Sequence, residues 1–439
     1  MTAAEPAASV ARAAGGKRIV IATWGSFGDL HPYLALAIRL KARGHLAVMA
    51  APEFYRRKVE AEGIEHAPLG PDFDQERAAE IVRKIMDPRR GMEFMLQQLL
   101  LPHLRQGYEE LLAACRGADL LLTHSIIYAG PMVAEKLALP RAAGILQPMI
   151  FMSAYDPPVP PQAPDLAKLY GLGVGFRRVL FRMAKEHVDR LAEPVHRLRA
   201  ELGLPARAHP VFEGQYSSLL NLALFSRCLG APQRDWPENT VVTGFPFYDR
   251  LEAGMGMPPE LEAFLDCGPP PVVFTLGTSA VWMADDFYLE SARAARALGR
   301  RAVLLAGKQE WNRIPDPLPE GVIAVDYAPH GELFPRAAAV VHQGGAGTTG
   351  QALRSGRPAL IVPFAHDQPD HGYRVSRLGT GLTLARRRYR ADTAAAALRR
   401  LLEEPRFGRR AEEVGREVRA ETGADAACDA LERLLAPVG

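Results

Sequence analysis

The chain has 439 residues, of which 48% are hydrophobic and 23% are charged, a composition typical of a globular protein with room for two or three domains. The formal net charge of +3 is too small, and the arginines are too scattered, to indicate a nucleic acid as partner. The four cysteines lie far apart without C-x-x-C spacing, which argues against a zinc site and against a disulfide framework.

The cysteine pattern favours a reducing compartment, and we predict a cytoplasmic protein. Residues 1–16 are rich in alanine and lack the basic start and continuous apolar run of a secretory signal, so we interpret them as a disordered tail. No stretch approaches the roughly 20 apolar residues that span a bilayer. The mild basic excess is compatible with an anionic cosubstrate or with contact to a membrane surface, and the oligomeric state is left open.

The first half of the chain alternates strands and helices. Residues 17–23 (KRIVIAT) form an apolar run typical of a buried strand, and a glycine turn (WGSFGDL) follows. Apolar residues at helical spacing run from Pro32 to Gly44, and a second strand (46–50) and helix (53–62) come next. This order predicts a doubly wound parallel sheet.

Less regular segments follow. We predict later strands at 120–123 and 142–146 and helices at 92–112, 127–137 and 176–202. Pro194 should kink or interrupt the last of these helices. The proline-rich segment 148–164 cannot be a regular helix and suits an irregular loop near a binding cleft.

Turn formers and prolines cluster between Asp235 and Pro271, and we place the domain boundary there. Beyond it we predict strands at 272–276, 302–306, 322–325, 338–342 and 359–362, a helix at 285–298 and a final helix at 411–435. The predicted parts are a tail (1–16), an N-terminal domain (17–240), a linker (241–270), a C-terminal domain (271–410) and a C-terminal helix (411–439) that packs across both. Two sheets joined by a linker imply a ligand-binding cleft between them.

Residues 338–349 read AAVVHQGGAGTT, which predicts a strand, a glycine-rich turn and the start of a helix. Glycines such as Gly345 and Gly347 let the backbone approach a ligand and leave the first helix amides pointing at an anion. His342 at the strand end and the Thr348 hydroxyl add donors. A sharp turn with a capping threonine explains the same residues without any ligand.

Three more stretches end predicted strands of the second half: TLGTS at 275–279, YAPH at 327–330 and AHDQ at 365–368. Because the carboxyl ends of parallel strands share one edge of a sheet, all four stretches are able to line one site. Together they supply an aromatic plane for a base, amides and hydroxyls for phosphates, and a carboxylate with an amide for sugar hydroxyls. This combination indicates a nucleotide sugar.

The order TLGTS, YAPH and HQGGAGTTGQALRSGRPALIVPFAHDQ, with GSFGDLHPYLALAIRLKARGH near the start, resembles the family-one glycosyltransferases of the GT-B fold. The pattern is most similar to bacterial members acting on lipids, sterols and macrolides, particularly the rhamnosyltransferases of rhamnolipid synthesis, which carry a DWP…TGFP segment like residues 235–246. The resemblance runs over nearly the whole chain from about Lys17. It implies an α/β protein with two Rossmann-like, doubly wound domains that face each other across a cleft, an acceptor-binding domain first and a nucleotide-sugar domain second.

The resemblance also implies a donor site. Tyr327 takes the place of the aromatic residue that stacks on the base, with the Ala328 backbone at the base edge, and Asp367 and Gln368 match the pair that binds the transferred sugar. The implied donor-binding residues are Gly28, Thr278, Ser279, Tyr327, Ala328, His342, Gly345, Gly347, Thr348, Asp367 and Gln368. One departure concerns the ribose, because plant members place a glutamate where Gly350 stands here.

In this family the base is a histidine or aspartate just after the first glycine turn, and the matching residue is Asp29. The resemblance implies that Asp29 takes the acceptor's hydroxyl proton in a single, inverting displacement. Asp29 is alternatively a helix cap. His31 is the rival base, although its position before Pro32 also suits a turn. The candidate acceptor contacts are His31, Met95, His124 and Met149.

The run HDQPDH at 366–371 concentrates four potential metal ligands. Its spacing differs from H-E-x-x-H, and Pro369 interrupts it, so we predict no metal there. The sequence therefore predicts no cofactor and a nucleoside diphosphate sugar as cosubstrate.

These observations predict an inverting, metal-independent transferase that moves a hexose from a donor of UDP-glucose or dTDP-rhamnose type to a hydroxyl of a lipophilic acceptor. The apolar helices and the proline-rich loop of the first domain favour the greasy acceptor. A nucleotide-sugar epimerase of the same fold is an alternative. So is a catalytically silent auxiliary partner of another transferase, although such a partner would be free to lose Asp29.

Overall fold

The computed structural model describes residues 15–72, 78–206, 209–250, 256–307 and 312–436. These residues form two parallel β-sheets that are covered by helices, which confirms the predicted fold class. The tail predicted over 1–16 lies outside the described residues, apart from Gly15 and Gly16. No described helix combines the length and the apolarity needed to cross a bilayer.

The first sheet has seven parallel strands in the order β3-β2-β1-β4-β5-β6-β7. They are β1 (Arg18–Ala22), β2 (Leu46–Ala51), β3 (Glu65–Pro68), β4 (Leu120–His124), β5 (Arg141–Ile145), β6 (Leu220–Ala223) and β7 (Thr240–Val242). Ile19 and Ile21 of β1 enter the core on one face, whereas Val20 and Ala22 enter the core on the other. Burial on both faces explains why β1 is a continuous apolar run.

The second sheet has six parallel strands in the order β10-β9-β8-β11-β12-β13. They are β8 (Val272–Thr275), β9 (Ala302–Leu305), β10 (Val322–Val325), β11 (Ala339–His342), β12 (Ala359–Ile361) and β13 (Gly381–Thr383). The chain order reverses between β1 and β4 in the first sheet and between β8 and β11 in the second. Ligands bind at the carboxyl ends of strands at such reversal points.

The helices pack on both sheets. They are α1 (Phe27–Ala42), α2 (Arg56–Ala61), α3 (Ala78–Ile85), α4 (Gly91–Phe94), α5 (Leu104–Ala114), α6 (Gly130–Leu137), α7 (Val174–Glu201), α8 (Pro259–Asp266), α9 (Phe287–Ala297), α10 (His330–Leu333), α11 (Ala346–Ser355), α12 (Gln368–Leu378), α13 (Ala391–Glu403), α14 (Pro405–Ala420) and α15 (Gly423–Leu435). Short 3₁₀ turns occur at Glu53–Tyr55, Pro148–Phe151, Pro164–Leu172, Glu213–Gln215, Ala280–Met283, Phe334–Arg336 and Arg386–Arg388.

The C-terminal region is two helices rather than the single helix predicted over 411–435. Val414 and Val418 of α14 pack with Leu353 of α11 in the second domain. After a break at residues 421–422, α15 buries Cys428 and Leu431 against the core of the first sheet. The break allows the chain to return to the domain in which it began.

Arg43 at the end of α1 helps to hold α15 against the first domain. Its guanidinium pairs with Asp425 at 2.7 Å, Asp429 at 2.6 Å and Glu432 at 2.8 Å on α15.

The chain passes from the first sheet to the second between Val242, the end of β7, and Pro259, the start of α8. Leu261 and Leu265 of α8 pack in the core of the second sheet. The linker predicted over 241–270 therefore contains the end of one domain and a packed helix of the other.

One helix prediction is wrong in detail. The amphipathic helix predicted over 92–112 is divided by a π-helical turn at Met95–Leu100 and by Pro102. Of the two effects predicted for Pro194, a kink or an interruption, the interruption does not occur, because α7 continues through this residue. The strands β3, β6, β7 and β13 were not predicted, because none of them is a continuous apolar run like β9 or β12, which are equally short.

Candidate active site

The turn between β11 and α11 exposes the start of a helix. Gly345 is the N-cap residue of α11 and offers no side chain to the first amides, which are therefore available to an anion. Gly344 has φ of +93°, and a Cβ there would lie 2.8 Å from Ile361 Cγ2. Only glycine is compatible with this backbone, which we call the phosphate loop (residues 343–349).

Two buried histidines hold Gly344. Its N–H donates to His342 Nδ1 at 3.1 Å, and its carbonyl accepts from His371 Nδ1 at 2.7 Å. Since Nδ1 of His342 is an acceptor, the proton of the neutral ring lies on Nε2, a buried atom without a partner in the described part of the chain. Burial lowers the pKa of His342 to about 3, helped by His330 and His371. His342 therefore presents a neutral N–H donor.

Gln343 is a site residue that sequence reasoning missed. Its carboxamide is buried, and its Nε2 lies 3.5 Å from Thr348 Oγ1. A Cβ at Gly277 would lie 2.2 Å from Nε2, and one at Gly345 would lie 2.8 Å from it. Gln343 thus fills the space between the β8 turn and the phosphate loop. The sequence did contain a signal for this role, because Gln343 is a polar residue between the end of β11 and the glycine pair Gly344-Gly345.

The predicted base platform lies at the ends of β8 and β10. Thr278 is exposed and Ser279 is half-buried just after β8. Tyr327 follows β10 with 42% of its surface exposed, whereas Ala328 is buried. The exposed face of the phenol ring is accessible to a flat ligand at the same sheet edge as the phosphate loop.

The segment before α12 carries the predicted sugar contacts. Phe364 N–H and Ala365 N–H donate to Gln368 Oε1 at 2.8 and 3.0 Å. The oxygen of this carboxamide is therefore occupied, and the Nε2 amino group is the part that can donate to a ligand. Burial raises the pKa of Asp367. The nearby His371 and His366 oppose this rise, whereas the Asp29 carboxylate adds to it. Asp367 Oδ2 lies 3.2 Å from His371 Nδ1.

Asp29 lies in the first turn of α1. Ser26 donates to its Oδ2 from N–H at 2.8 Å and from Oγ at 3.1 Å, so Asp29 does serve a capping box. A Cβ at Gly25, which has φ of +130°, would lie 2.4 Å from this oxygen. Glycine at that position therefore leaves room for the carboxylate.

The charge of Asp29 also reaches the second domain. Burial lowers the pKa of His366, and the carboxylates of Asp367 and Asp29 work against that fall. The same carboxylate opposes the lowering of the His124 pKa by burial. The Asp29 charge therefore acts both on His124 of its own domain and on the residues just before α12.

His31 is enclosed by aromatic rings. It stacks on Phe27 and Tyr248 with ring centroids 5.0 and 4.7 Å apart. Burial lowers its pKa to about 3, with a further contribution from Lys58. A ring with such a pKa is a weak proton acceptor at neutral pH.

Two cavities of the first domain lie on either side of Ile127 and Tyr128. One is lined by His124 and Ser125, whose buried Nδ1 and Oγ lack partners among the described residues. The other is lined by Trp24. Met149 is half-buried in the 3₁₀ turn at Pro148–Phe151, while Met95 is 8% exposed within the apolar core.

Comparisons with known proteins match both halves of the chain. The Glycosyltransferase family 28 N-terminal domain matches residues 19–143, and the Erythromycin biosynthesis protein CIII-like C-terminal domain matches residues 303–434. The O-mycaminosyltylonolide 6-deoxyallosyltransferase of Streptomyces fradiae is 32% identical over 430 residues, which cover 94% of this chain and 97% of that protein. The chain belongs to the family-one glycosyltransferases of the GT-B fold.

Two other relatives show that the similarity covers most of this glycosyltransferase. Glycosyltransferase GtfE of Amycolatopsis orientalis is 32% identical and matches 83% of this chain and 85% of its own length. The sterol 3-beta-glucosyltransferase of Cryptococcus neoformans is 30% identical over 95% of this chain, which spans 27% of that longer protein.

Solved structures share the fold. Spinosyn forosaminyltransferase SpnP has a TM-score of 0.70 at 20% identity, with 96% of this chain and 99% of SpnP covered. Glycosyltransferase VinC in complex with dTDP has a TM-score of 0.66 at 21% identity, with 95% and 99% covered.

The structure explains the departure at Gly350 of this glycosyltransferase. A Cβ there would lie 3.0 Å from Cδ1 of Phe245, a residue that packs between the two domains. A glutamate cannot enter this space without displacing the ring. Ribose recognition must therefore use another residue.

The fold brings most of the predicted donor residues to one edge. Thr278, Ser279, Tyr327, Ala328, His342, Gly345, Gly347, Thr348, Asp367 and Gln368 all follow carboxyl ends of strands in the second sheet, and Gly28 and Asp29 follow β1 in the first. Within the described residues, no three histidine, cysteine, aspartate or glutamate side chains are grouped as metal ligands would be. The roles of all these residues stay predictions.

Proposed function

We propose that this glycosyltransferase moves a hexose from a nucleoside diphosphate to a hydroxyl group of a lipophilic natural product, with inversion and without a metal. The observation that carries the proposal is that α1, which bears Asp29 in its first turn, packs against α11, which begins at the phosphate loop. The influence of the Asp29 charge on the pKa of His366 and of Asp367 supports the same arrangement.

The chemistry would be a single displacement. The acceptor oxygen attacks the anomeric carbon while its proton passes to the Asp29 carboxylate. The bond from that carbon to the diphosphate oxygen breaks on the opposite face, so the configuration inverts. The leaving diphosphate would take its hydrogen bonds from the first amides of α11, from His342 Nε2 and from the Thr348 hydroxyl.

These donors supply the charge stabilisation that a metal ion gives in other transferases. The exposed Tyr327 ring suits the base, and the dTDP complex of VinC makes a thymidine or uridine diphosphate the first donor class to test. UDP-glucose and dTDP-rhamnose represent the two classes.

The acceptor would enter the first domain beside Asp29. The two cavities around Ile127 and Tyr128 combine an apolar lining with the unpartnered polar atoms of His124 and Ser125. Such a lining suits a large apolar molecule with a few hydroxyls. The named acceptors of relatives, a macrolide and sterols, are of this type.

The Asp29→Asn variant tests the proposed base. Asparagine keeps an oxygen for the Ser26 N–H, so the capping box and the fold should survive. We expect transfer to fall by about 100-fold or more, as for removal of a general base, with unchanged nucleoside diphosphate affinity. Asp266→Asn, a change at an exposed carboxylate that pairs with Arg336 outside the site, is the matched control and should retain transfer.

Near wild-type turnover of Asp29→Asn would exclude Asp29 as the base. The donor panel is read first by thermal shift, since a ligand at 100 times its dissociation constant stabilises by about 2.7 kcal/mol. Conversion of the donor sugar without any acceptor would instead support the epimerase alternative.

A further inference from the structure

A buried chain of charges joins the two domains. Arg374 on α12 donates from Nε to Asp370 Oδ2 at 2.7 Å, and from Nη1 to Asp156 Oδ2 in the proline-rich segment of the first domain. The three side chains are at most 8% exposed. A carboxylate of one domain is thus paired with an arginine of the other inside the protein.

Every carboxylate oxygen in this chain of charges has a donor. Arg377 donates to Asp156 Oδ1 at 2.7 Å, and the Val159 N–H donates to Asp370 Oδ1 at 3.0 Å. Burial raises the pKa of Asp156, but Arg374 and Arg377 outweigh it and the pKa is lowered. Asp156 is therefore charged at neutral pH.

The network attaches residues 153–159 (the 153–159 loop) to α12. At its start the loop is held by its own domain, because Ser153 Oγ and Ala154 N–H donate to Asp235 at 2.6 and 2.7 Å. Toward its end the loop is also held by α12, because Asp156 pairs with Arg374 and the Val159 N–H donates to Asp370. Within the first domain, Tyr170 Oη donates to the Pro158 carbonyl.

The same helix contacts the phosphate loop on another side. His371, next to Asp370, donates to the Gly344 carbonyl at 2.7 Å and lies 3.2 Å from Asp367. A continuous path therefore runs from Gly344 through α12 to Asp156. Buried ion pairs add little to stability when compared with apolar packing, but they specify one arrangement.

We propose that Asp156 is a positioning residue that fixes the 153–159 loop relative to the donor site, so that occupation of the phosphate loop orders the acceptor side. The inference rests on the proposed function in one respect, the assignment of Asp367 and the phosphate loop to the donor. Asp156 itself contacts neither reacting group.

The kinetic test compares Asp156→Ala, Asp156→Asn and the control Asp165→Asn, whose carboxylate is exposed and pairs only with Lys168 in the described structure. For Asp156→Ala we expect transfer to fall by about tenfold or more, within the usual range of coupling between sites. The nucleoside diphosphate dissociation constant should change by less than about threefold, since the phosphate loop keeps its contacts. Asp156→Asn should lie between, and the control should match wild type.

Hydrogen exchange provides a readout that does not need turnover. Adding the nucleoside diphosphate should slow amide exchange in the 153–159 loop of wild type and leave that of Asp156→Ala unchanged. If Asp156→Ala does not fold, Asp156→Asn is used, and the proposal requires that nucleotide protect its loop less than in wild type.

Wild-type transfer by Asp156→Ala, or equal nucleotide protection of both loops, overturns the proposal. A loss of both nucleotide affinity and melting temperature in Asp156→Ala also overturns it, because this result would indicate that Asp156 supports the fold in general. A wild-type protein without turnover on any donor would refute the proposed function separately, and hydrogen exchange would still decide on Asp156.

Discussion

Replacing Gly347 by alanine should separate ligand binding from folding. Gly347 is in the first turn of α11, and among the described residues a Cβ there would meet no atom within 4 Å beyond its neighbours and its own helix. Alanine is favoured over glycine in a helix by up to about 1 kcal/mol, so the free energy of unfolding should stay constant or rise by that amount.

The same methyl group would occupy the approach to the α11 amides. A hydrogen bond from an amide to an anionic oxygen spans about 2.9 Å, so a methyl group beside the amide forces the diphosphate outward. We expect nucleoside diphosphate affinity to fall by about tenfold or more, which corresponds to at least about 1.4 kcal/mol. Isothermal titration calorimetry measures the affinity, and urea unfolding measures the stability.

Gly344→Ala provides the contrast. Its Cβ would have a positive φ and would lie 2.8 Å from Ile361 Cγ2 and 3.1 Å from the Gln368 carbonyl oxygen. Strain and overlap together should cost about 2 to 4 kcal/mol of stability. If Gly347→Ala loses as much stability as Gly344→Ala, or binds nucleoside diphosphate as wild type does, the phosphate loop does not act as argued here.

Three further changes test other parts of the structure. Tyr327→Ala should weaken nucleoside diphosphate binding by about 1 to 3 kcal/mol of stacking while leaving the melting temperature unchanged; unaltered affinity would remove Tyr327 from the site. His342 has a pKa of about 3 when folded and an ordinary value of 6.5, so the unfolded chain binds its proton first and stability falls as the pH drops from 6.5 toward 3. His342→Gln should make the decline of melting temperature between about pH 6.5 and 5 shallower, and an identical slope would contradict this account. Leu431→Ala, a fully buried change on α15, should cost about 2 to 5 kcal/mol in urea unfolding; a smaller loss would mean that α15 is only loosely attached to the first domain.

The predictions that succeeded depended on local patterns. Continuous apolar runs such as residues 272–276 and 302–306 indicated buried parallel strands, because such strands are covered on both faces. The glycine turns at strand ends also predict a ligand site, and that part stays a prediction. The resemblance of those motifs to a known family was confirmed by the relatives.

The predictions that failed depended on distant contacts. The sequence predicted a C-terminal helix that packs across both domains, but nothing near residue 421 signals the break after which α15 packs on α1, almost 400 residues earlier in the chain. Gln343 becomes part of the site only because the β8 turn lies beside the phosphate loop. The polarity of short strands such as β3 hid them, since pairing with a neighbour rather than local pattern makes them strands.

The run HDQPDH at 366–371 illustrates how far local sequence patterns allow prediction. Its composition and the preceding strand were sufficient to predict a ligand-binding segment at a sheet edge, because hydrophobic periodicity and glycine turns act over a few residues. Only the folded chain decides that Asp367 lies beside His371 while Asp370 contacts Arg374 and the 153–159 loop. A carboxylate's role is set by the charge that packing brings beside it, and here that packing joins residues about 200 or more positions apart in the chain.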